Sequence, residues 1–396
     1  MVKKSYFSGL SKNTFLLAFT SFFADISTEM LYPVLPIFLT QTLHTSTSVV
    51  GIVEGIATAT QNIVQGFSGW LADKLEKPKS VALLGYTIAA ISKPLMGFSP
   101  VWQVVLGTRF LDRFGTGLRS APRDALIAAS ANEQSRGKAF GLEGIGDNLG
   151  AFVGPLATIV LLFILHITIR NIFYVAVIPG LLAVMMILLV KEKHVIIQTK
   201  SRIDLSIKKF PKLYWKYIIV TALFGLGNSS NSFLILQTKS IGVSLEMTIL
   251  IYAFFNLVAA FISYPAGSLS DTLGRKNILL LAFFIFLVTY LGFSVSRNIY
   301  LLSFLFILYG FYQGIFRSVG KALATDFIPQ HLRASGIGWY STTVGISSLI
   351  ASIVGGQLWV HVNPSATFIY GVIFSILGSF ALVLLIPKKQ TTIELQ

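Results

Sequence analysis

The sequence contains no cysteine and few charged residues, and each scarcity excludes a class of protein. Without cysteine, the chain has neither a disulfide framework nor a thiolate metal site. Charged residues make up 12% of the 396 residues and hydrophobic residues 54%, and the mean hydropathy is +0.74. This composition is far from that of soluble domains. We therefore expect a protein that lies in a lipid bilayer.

Sequence features of enzymes and pumps are also missing. The 5 histidines are scattered without metal-ligand spacing, and no Walker-type loop is present to bind ATP. We therefore predict no catalytic residues, no metal, no cofactor and no enzymatic activity.

Apolar stretches recur along the whole chain, and each is long enough to cross ~30 Å of hydrocarbon as a helix. Hydropathy, together with breaks at Gly, Pro, Asn and charged residues, predicts twelve spans. Spans 1 to 6 are predicted at 15–39, 47–72, 80–98, 101–127, 138–166 and 171–190. Spans 7 to 12 are predicted at 214–237, 246–269, 277–295, 299–322, 335–361 and 367–387. We expect the basic tail 1–12 to lead into a first span that is retained.

The net charge of +15 is distributed unevenly between the two sides of these spans. Of the 31 basic residues, 7 lie within spans, 21 lie in segments on the side of the termini, and only Arg170, Lys239 and Arg297 lie in loops on the other side. The positive-inside rule therefore predicts a multi-pass protein of the cell inner membrane with both termini in the cytoplasm. Basic residues spread over short loops form no element that reads nucleic acid, so we expect no nucleic-acid partner.

A short loop motif occurs in both halves of the chain. Residues 267–276 read GSLSDTLGRK after predicted span 8, and residues 69–74 read GWLADK after span 2. The two copies start 198 residues apart, which is half of 396. Arg119 on span 4 and Arg317 on span 10 are separated by the same 198 residues. The repeat indicates two halves with parallel topology.

The loop motif closely resembles the loop signature of the major facilitator superfamily. The resemblance implies an all-α membrane protein with 12 transmembrane helices in two pseudo-symmetric six-helix bundles, the major facilitator fold. We expect an N-terminal bundle at 1–190, a basic and polar cytoplasmic linker at 191–213, and a C-terminal bundle with a short cytoplasmic tail at 214–396.

In that family the aspartate of the motif is assigned a gating role, which the resemblance carries onto Asp73 and Asp271. Glycine at a helix end lets backbones approach closely, and an aspartate there can face the N-terminus of another helix. The alternative is a turn aspartate that only caps a helix. The first copy departs from the pattern, because LEKP at 75–78 replaces the Gly-Arg portion. The gating candidates are Gly69, Asp73, Gly267, Asp271, Gly274, Arg275, Arg119, Arg123 and Arg317.

Two further stretches resemble family signatures. On span 4 an arginine is followed by Gly115 and Gly117, and either Arg109 or Arg113 is the equivalent of the family's arginine. On span 5 a ridge of small residues is similar to the antiporter signature of drug-exporting members. Such a ridge also allows close helix packing in lipid without any antiport. The helix-packing candidates are Gly146, Gly150, Gly154 and Pro155.

Most ionisable residues within the predicted spans lie in the first half. An ionisable group in the membrane costs ~2.5–3.5 kcal/mol on insertion scales, so it is normally paired, water-lining or functional. Asp25 and Glu29 are four residues apart on span 1 and share one face of the helix. Carboxylates so close repel, and one is expected to keep its proton near neutral pH unless a basic group intervenes. The proton-coupling candidates are Asp25, Glu29, Glu54, Asp112 and Arg113.

A rise of ~1.5 Å per residue places these charges in two layers of the membrane. An outer-to-middle layer holds Glu29, Glu54, Lys93, Arg109, Asp112 and Arg113, and an inner layer holds Arg119, Arg123, Asp124, Glu143 and Asp147. Each layer contains both signs, so ion-pair networks are possible. The alternatives are structural roles for these groups and, for Lys93, a side chain that extends to the outer interface.

The second half carries few charges in its spans, chiefly Arg317 and Lys321. We therefore expect this half to contribute mainly substrate contacts, and the first half to contribute proton or ion coupling. Residues 227–232 form a polar break in span 7 that is either an unwound substrate-binding segment or a set of side chains bonded to neighbouring carbonyls. The substrate-cavity candidates are Arg109, Asp147, Asn228, Asn231, Asn256, Tyr309 and Tyr312.

These observations predict a secondary active transporter that moves a small organic solute by alternating access. We expect a monomer that uses protons as the coupling ion and exports its solute by antiport. Proton-coupled uptake of a small solute such as a metabolite or siderophore is the alternative, and a receptor or scaffold that does not transport is another. A structure in which Asp25, Glu29 and Glu54 were all sealed from any aqueous cavity would contradict this prediction.

Overall fold

The computed structural model describes residues 10–131, 135–192, 209–329 and 332–387, apart from the side chains of Asp73 and Ala334. Within these ranges all regular elements are helices. Spans 1 to 6 are formed by Lys12–Glu29 with Leu35–Ile37 and Phe38–Thr42, Thr47–Leu75, Pro78–Gly97, Trp102–Ala129, Arg136–Ile159 with Val160–Ile164, and Ile169–Val175 with Val177–Leu189. Spans 7 to 12 are formed by Lys212–Gly225 with Ser232–Ser240, Leu245–Leu273, Arg275–Val295, Ile299–Asp326, Arg333–His361 and Pro364–Leu385. The predicted all-α fold of 12 spans is confirmed, with boundaries within four residues of those predicted.

Eight spans in the described part of the chain are long and apolar enough to cross a membrane, namely spans 3, 5, 6 and 8 to 12. Spans 1, 2 and 4 are more polar, and span 7 consists of two helices of 14 and 9 residues, each too short to cross a membrane alone. Spans 1, 2 and 4 carry charged residues near mid-length, and the helix of span 7 is interrupted between Gly225 and Ser232.

Side-chain caps define where several spans begin. The Ser11 hydroxyl accepts a hydrogen bond from the Thr14 amide at the start of span 1, and the Asn363 side chain caps span 12 directly before Pro364. Spans 8 and 9 are separated by Gly274 alone, whose φ of +88° is disfavoured for residues with a side chain. This motif glycine is needed for the chain reversal.

Two prolines explain why span 1 is not a single helix. The first helix ends at Glu29, and after a turn that contains Pro33 the chain continues as the short helix Leu35–Ile37 and the π-helical turn Phe38–Thr42. Proline lacks the amide hydrogen that a helix interior needs. Pro33 and Pro36 therefore interrupt the regular helix at this end of span 1.

The twelve spans pack as two bundles related by the sequence repeat. Span 2 at Thr47–Leu75 and span 8 at Leu245–Leu273 begin and end 198 residues apart. Between the bundles, span 2 packs against span 11 and span 5 against span 8. Most of the predicted linker, residues 193–208, lies outside the described residues.

The contact between spans 2 and 11 is made largely of backbone, and we call it the glycine seam. A Cβ atom added to Gly51 would lie 2.2 Å from the Ser352 carbonyl oxygen, and one added to Gly66 would lie 3.1 Å from the Gly338 Cα. Side chains would not fit at such distances. The seam therefore brings the two halves into backbone contact along most of these two spans.

Because the number of spans is even, Leu10 and Pro387 lie on the same side of the bundle, which we call the terminal side. We call the opposite side the far side. Span 10, for example, runs from Ile299 on the far side to Asp326 on the terminal side.

Candidate functional site

A cavity of about 670 Å³ lies between the two halves. Its wall is polar and contains carboxylates, guanidinium groups and amides. Arg317 and Lys321, on the terminal half of span 10, are exposed in it, whereas Phe38 and Phe233 on the far side are completely buried. The cavity is therefore open to the terminal side and closed on the far side.

The proton-coupling candidates Asp25, Glu29 and Glu54 all contribute to the wall of this cavity. Asp25 and Glu29 are partly exposed in it, whereas Glu54 is 2% exposed, so the three are not all sealed, the outcome that would have contradicted the sequence-based hypothesis. Arg113 also lines the cavity, whereas Asp112 lies behind the wall and is 1% exposed.

A buried ion-pair network on spans 2, 3 and 4 lies behind the first half of the wall. Arg109 donates to Glu54 from Nε at 3.0 Å and from Nη2 at 3.3 Å, and to Asp112 from Nη1 at 3.0 Å. Lys93 Nζ donates to the other oxygen of Asp112 at 3.1 Å. Lys93 is 2% exposed and faces inward, so it does not extend to the membrane surface. The network compensates charges that would otherwise be costly to bury.

The structure separates the roles of the two candidate arginines of span 4. Arg109 is 1% exposed, is paired with carboxylates and does not line the cavity, contrary to its assignment as a cavity residue. Arg113 reaches the cavity wall, where Nη1 donates to Gln61 at 3.1 Å, and its Nε lies 3.5 Å from Asp112. Arg113 is therefore the arginine of this pair that faces the pathway.

A second charge cluster lines the cavity on spans 1, 4 and 5. Arg123 Nη1 lies 2.8 Å from Glu143 and 3.9 Å from Asp147, and Nη2 lies 3.0 Å from Asp124. Arg119 Nη2 lies 3.7 Å from Asp25. The predicted gating residues Arg119 and Arg123 thus make their contacts within the first half.

The nearest carboxyl group to Asp25 is on a different span from the one predicted. Asp147 of span 5 is within hydrogen-bonding reach of Asp25, and Glu29 acts on Asp25 more weakly. Asp147 is therefore a third carboxyl group beside the predicted pair of Asp25 and Glu29. Helix packing decides the partner, because Gly150 lets span 5 approach span 1 at the level of Asp25.

Glu29 instead links the first half to the second. Its Oε2 atom accepts hydrogen bonds from the Tyr252 hydroxyl at 3.0 Å and from Asn256 Nδ2 at 3.3 Å, both on span 8. The ring of Tyr32 stacks on Tyr252 with centroids 5.4 Å apart. Tyr252 was not among the predicted site residues, although it occupies the position 198 residues after Glu54.

The second half supplies amides and two cations to the wall. Asn228, Asn231 and Asn256 line the cavity as predicted candidates, and the break in span 7 presents the first two of them. Tyr309 and Tyr312 do not line it and are completely buried. The Tyr309 hydroxyl donates to Asn231 at 2.8 Å on the closed far side, and Tyr312 packs among phenylalanines. Both tyrosines therefore support the wall from behind.

The loop motif of the second half makes an internal contact. Arg275 donates to Asp271 Oδ1 at 3.1 Å and also pairs with Asp326 at the end of span 10. Asp326 was missed because its partner is distant in sequence. A Cβ atom added to Gly267 would meet nothing within 4 Å, and one added to Gly69 would meet only Ala121, at 3.3 Å. These two glycines do not provide the close backbone approach expected of them, and the side chain of Asp73 lies outside the described residues.

The glycine ridge of span 5 packs on span 1. Cβ atoms added to Gly146, Gly150 and Gly154 would lie 2.4, 2.4 and 2.8 Å from the carbonyl oxygens of Ala18, Phe22 and Ile26, respectively. Pro155 follows directly and is buried. The ridge therefore makes a close helix contact beside Asp25 and Asp147.

Comparisons with known proteins agree with this architecture. The model of the major facilitator superfamily matches residues 17–236 and 217–396. An uncharacterized MFS-type transporter of Methanocaldococcus jannaschii is 35% identical over 382 residues, which cover 94% of this chain and 95% of that protein. A probable 4-methylmuconolactone transporter of Cupriavidus pinatubonensis is 25% identical over 402 residues, 96% of this chain and 91% of that one. The quinolone resistance protein NorA of Staphylococcus aureus is 26% identical over 225 residues, 56% of this chain and 57% of that one.

Solved structures share the fold at low sequence identity. The nucleoside transporter NupG superposes with a TM-score of 0.79 at 16% identity, covering 95% of this chain and all of that one. A D-xylose-proton symporter superposes with a TM-score of 0.73 at 15% identity, covering 94% and 97% of the two chains. With the family model, the archaeal relative and the twelve-span architecture in agreement, the chain belongs to the major facilitator superfamily of membrane transporters.

Proposed function

We propose that this transporter exports a small organic solute in exchange for protons, by alternating access of the cavity to the two sides of the membrane. We further propose that it works as a monomer in the cell inner membrane with its terminal side in the cytoplasm. The excess of basic residues in the segments on that side supports this orientation.

The observation that carries the proposal is the position of Glu29. Its carboxyl group lies on the cavity wall and accepts two hydrogen bonds from span 8 of the other half. Hydrogen bonds to an ionised acceptor are about twice as strong as neutral ones. Protonation of Glu29 removes that charge and weakens the contact between the halves. Proton binding therefore favours separation of the two halves on the far side, which opens the cavity there.

Asp25 and Asp147 provide a second site for the coupling proton. Their carboxyl groups are within hydrogen-bonding reach of each other on the cavity wall, and two ionised carboxylates at that distance repel. Arg119 and Arg123 lie within 4 Å of one or the other carboxylate. Water in the open cavity gives protons a route to this pair.

The names of two relatives support a small organic solute as cargo, one being a quinolone resistance protein and the other a probable 4-methylmuconolactone transporter. The first also supports export. A cavity of about 670 Å³ is in the range of small-molecule sites.

We expect Glu29→Gln and Asp25→Asn to abolish solute movement driven by a pH gradient. Both variants keep a polar side chain but cannot bind and release a proton. The assay uses the purified chain in vesicles with an imposed pH gradient, and it follows a fluorescent quinolone and 4-methylmuconolactone. Driven flux should fall to the level of protein-free vesicles, whereas solute binding without a gradient should persist.

The matched control is Glu246→Gln, which removes an exposed carboxylate on the far side, outside the cavity. This control should transport normally. Full driven flux in both cavity variants would disprove the coupling assignment. Solute movement in the same direction as the protons would replace antiport with symport.

A further inference from the structure

Two basic residues on the wall of the second half lack the carboxylate partners that the four arginines of span 4 possess. Within the described residues, Arg109, Arg113, Arg119 and Arg123 each lie within 4 Å of a carboxylate oxygen. Arg317 and Lys321 have neither an ion pair nor a hydrogen bond to that part of the chain, and both are exposed in the cavity.

The internal repeat shows how this difference arises. At the offset of 198 residues, Arg317 corresponds to Arg119 and Lys321 corresponds to Arg123, so the second half retains both cations. The acids around Arg119 and Arg123 are not retained. Asp25, Asp124, Glu143 and Asp147 correspond to Leu223, Ala322, Ser341 and Gly345. The second half therefore has the cations of this cluster without their counter-ions.

The geometry of the pair suits an anionic group of a small molecule. Arg317 and Lys321 are four residues apart on one helix, so their side chains leave the same face about 6 Å apart along the axis. A guanidinium group offers paired donors that match a carboxylate or phosphate, and an ammonium group adds a second charge. Phe316 and Tyr340 line the cavity nearby and supply apolar surface for the rest of such a molecule.

We propose that Arg317 and Lys321 form a subsite for the carboxylate or phosphate group of an organic anion that the protein transports. The inference rests on the proposed transport function and specifies the chemical class of its cargo. The amides and aromatic rings of the same wall contact the uncharged part of the solute.

Equilibrium binding at constant pH tests this proposal without any gradient. The full chain in detergent micelles is titrated with benzoate, phenyl phosphate, benzamide and benzyltrimethylammonium, which share one ring and differ in charge. Inorganic phosphate is titrated separately. We expect benzoate and phenyl phosphate to bind in preference to benzamide and the cation, and Arg317→Gln to weaken that binding about tenfold, as for a lost hydrogen bond to a charged group.

Two further variants separate the subsite from a general loss of structure. Arg317→Lys keeps the positive charge and should recover part of the affinity, and Lys321→Gln should weaken binding in the same direction as Arg317→Gln. The matched control, Arg297→Gln, removes an exposed arginine on the far side and should leave binding unchanged. Binding of phenyl phosphate but not benzoate would restrict the subsite to phosphate groups, and inorganic phosphate binding alone would overturn an organic anion as the ligand.

Equal affinity for the neutral, cationic and anionic probes, or no binding of any anion, would overturn the proposal. So would unchanged affinity in both Arg317→Gln and Lys321→Gln. These results would leave proton coupling untouched if the pH-gradient assay still showed flux that depends on Glu29. Conversely, selective anion binding with no gradient-driven flux would retain the subsite and reject the coupling.

Discussion

Replacement of Arg109 by methionine is expected to destabilise the protein by about 3–5 kcal/mol, the typical cost of breaking a buried ion pair from one side. Methionine fills a similar volume but leaves Glu54 without its partner, because Arg109 donates two hydrogen bonds to that carboxylate, from Nε and Nη2. Asp112 keeps Lys93 at 3.1 Å and Arg113 at 3.5 Å. The thermal unfolding midpoint of the purified protein in detergent measures the loss.

The double variant Arg109→Met with Glu54→Gln provides the decisive comparison. If the loss comes from an uncompensated buried charge, removal of that charge should restore a large part of the stability. The exposed Arg297 serves as a matched control, and Arg297→Met should leave the midpoint unchanged. A double variant no more stable than Arg109→Met alone would mean that the packing of Arg109, rather than its charge, is essential.

A single added methyl group at Gly150 is expected to destabilise the protein by about 1–3 kcal/mol, the usual cost of overpacking. The new Cβ atom would lie 2.4 Å from the Phe22 carbonyl oxygen and 2.9 Å from the Asp25 Cβ, so span 5 must move away from span 1. This movement also separates Asp25 from Asp147. Gly150→Ala should therefore lower both the unfolding midpoint and the flux driven by a pH gradient.

The same helix offers a matched control for this prediction. A Cβ atom added to Gly144 meets nothing within 4 Å. Because alanine favours helix more than glycine does, Gly144→Ala should be neutral or slightly stabilising. Equal midpoints for Gly144→Ala and Gly150→Ala would contradict the close packing of spans 1 and 5.

The depth of a residue in the membrane could be predicted from the sequence because it depends only on distance along a helix. Lys93, Arg109, Asp112 and Glu54 were placed in one layer by counting residues, and the structure joins them in one network. The span boundaries could be predicted for the same reason, since hydropathy changes where each helix leaves the apolar layer.

The direction in which a side chain points from its helix axis could not be predicted, and neither could the contacts between spans that are distant in sequence. Counting residues does not show whether Arg109 or Arg113 faces the cavity, because that depends on where spans 2 and 3 pack against span 4. The hydrogen bonds from Tyr252 and Asn256 to Glu29 join residues that are 223 and 227 positions apart in the sequence. Tyr309 was assigned to the cavity because it is a polar group in a glycine-rich stretch of span 10, whereas its side chain is buried behind Asn231.

The glycine seam has a consequence for the rate at which this carrier can change its shape. Gly51 and Gly66 contact the opposite helix without side chains that interlock, so spans 2 and 11 meet at smooth surfaces at these two positions. For halves that rock about this line, few side chains have to move where the glycines lie. Even one protruding methyl group there should act as a steric brake that lowers the turnover number while leaving solute affinity intact.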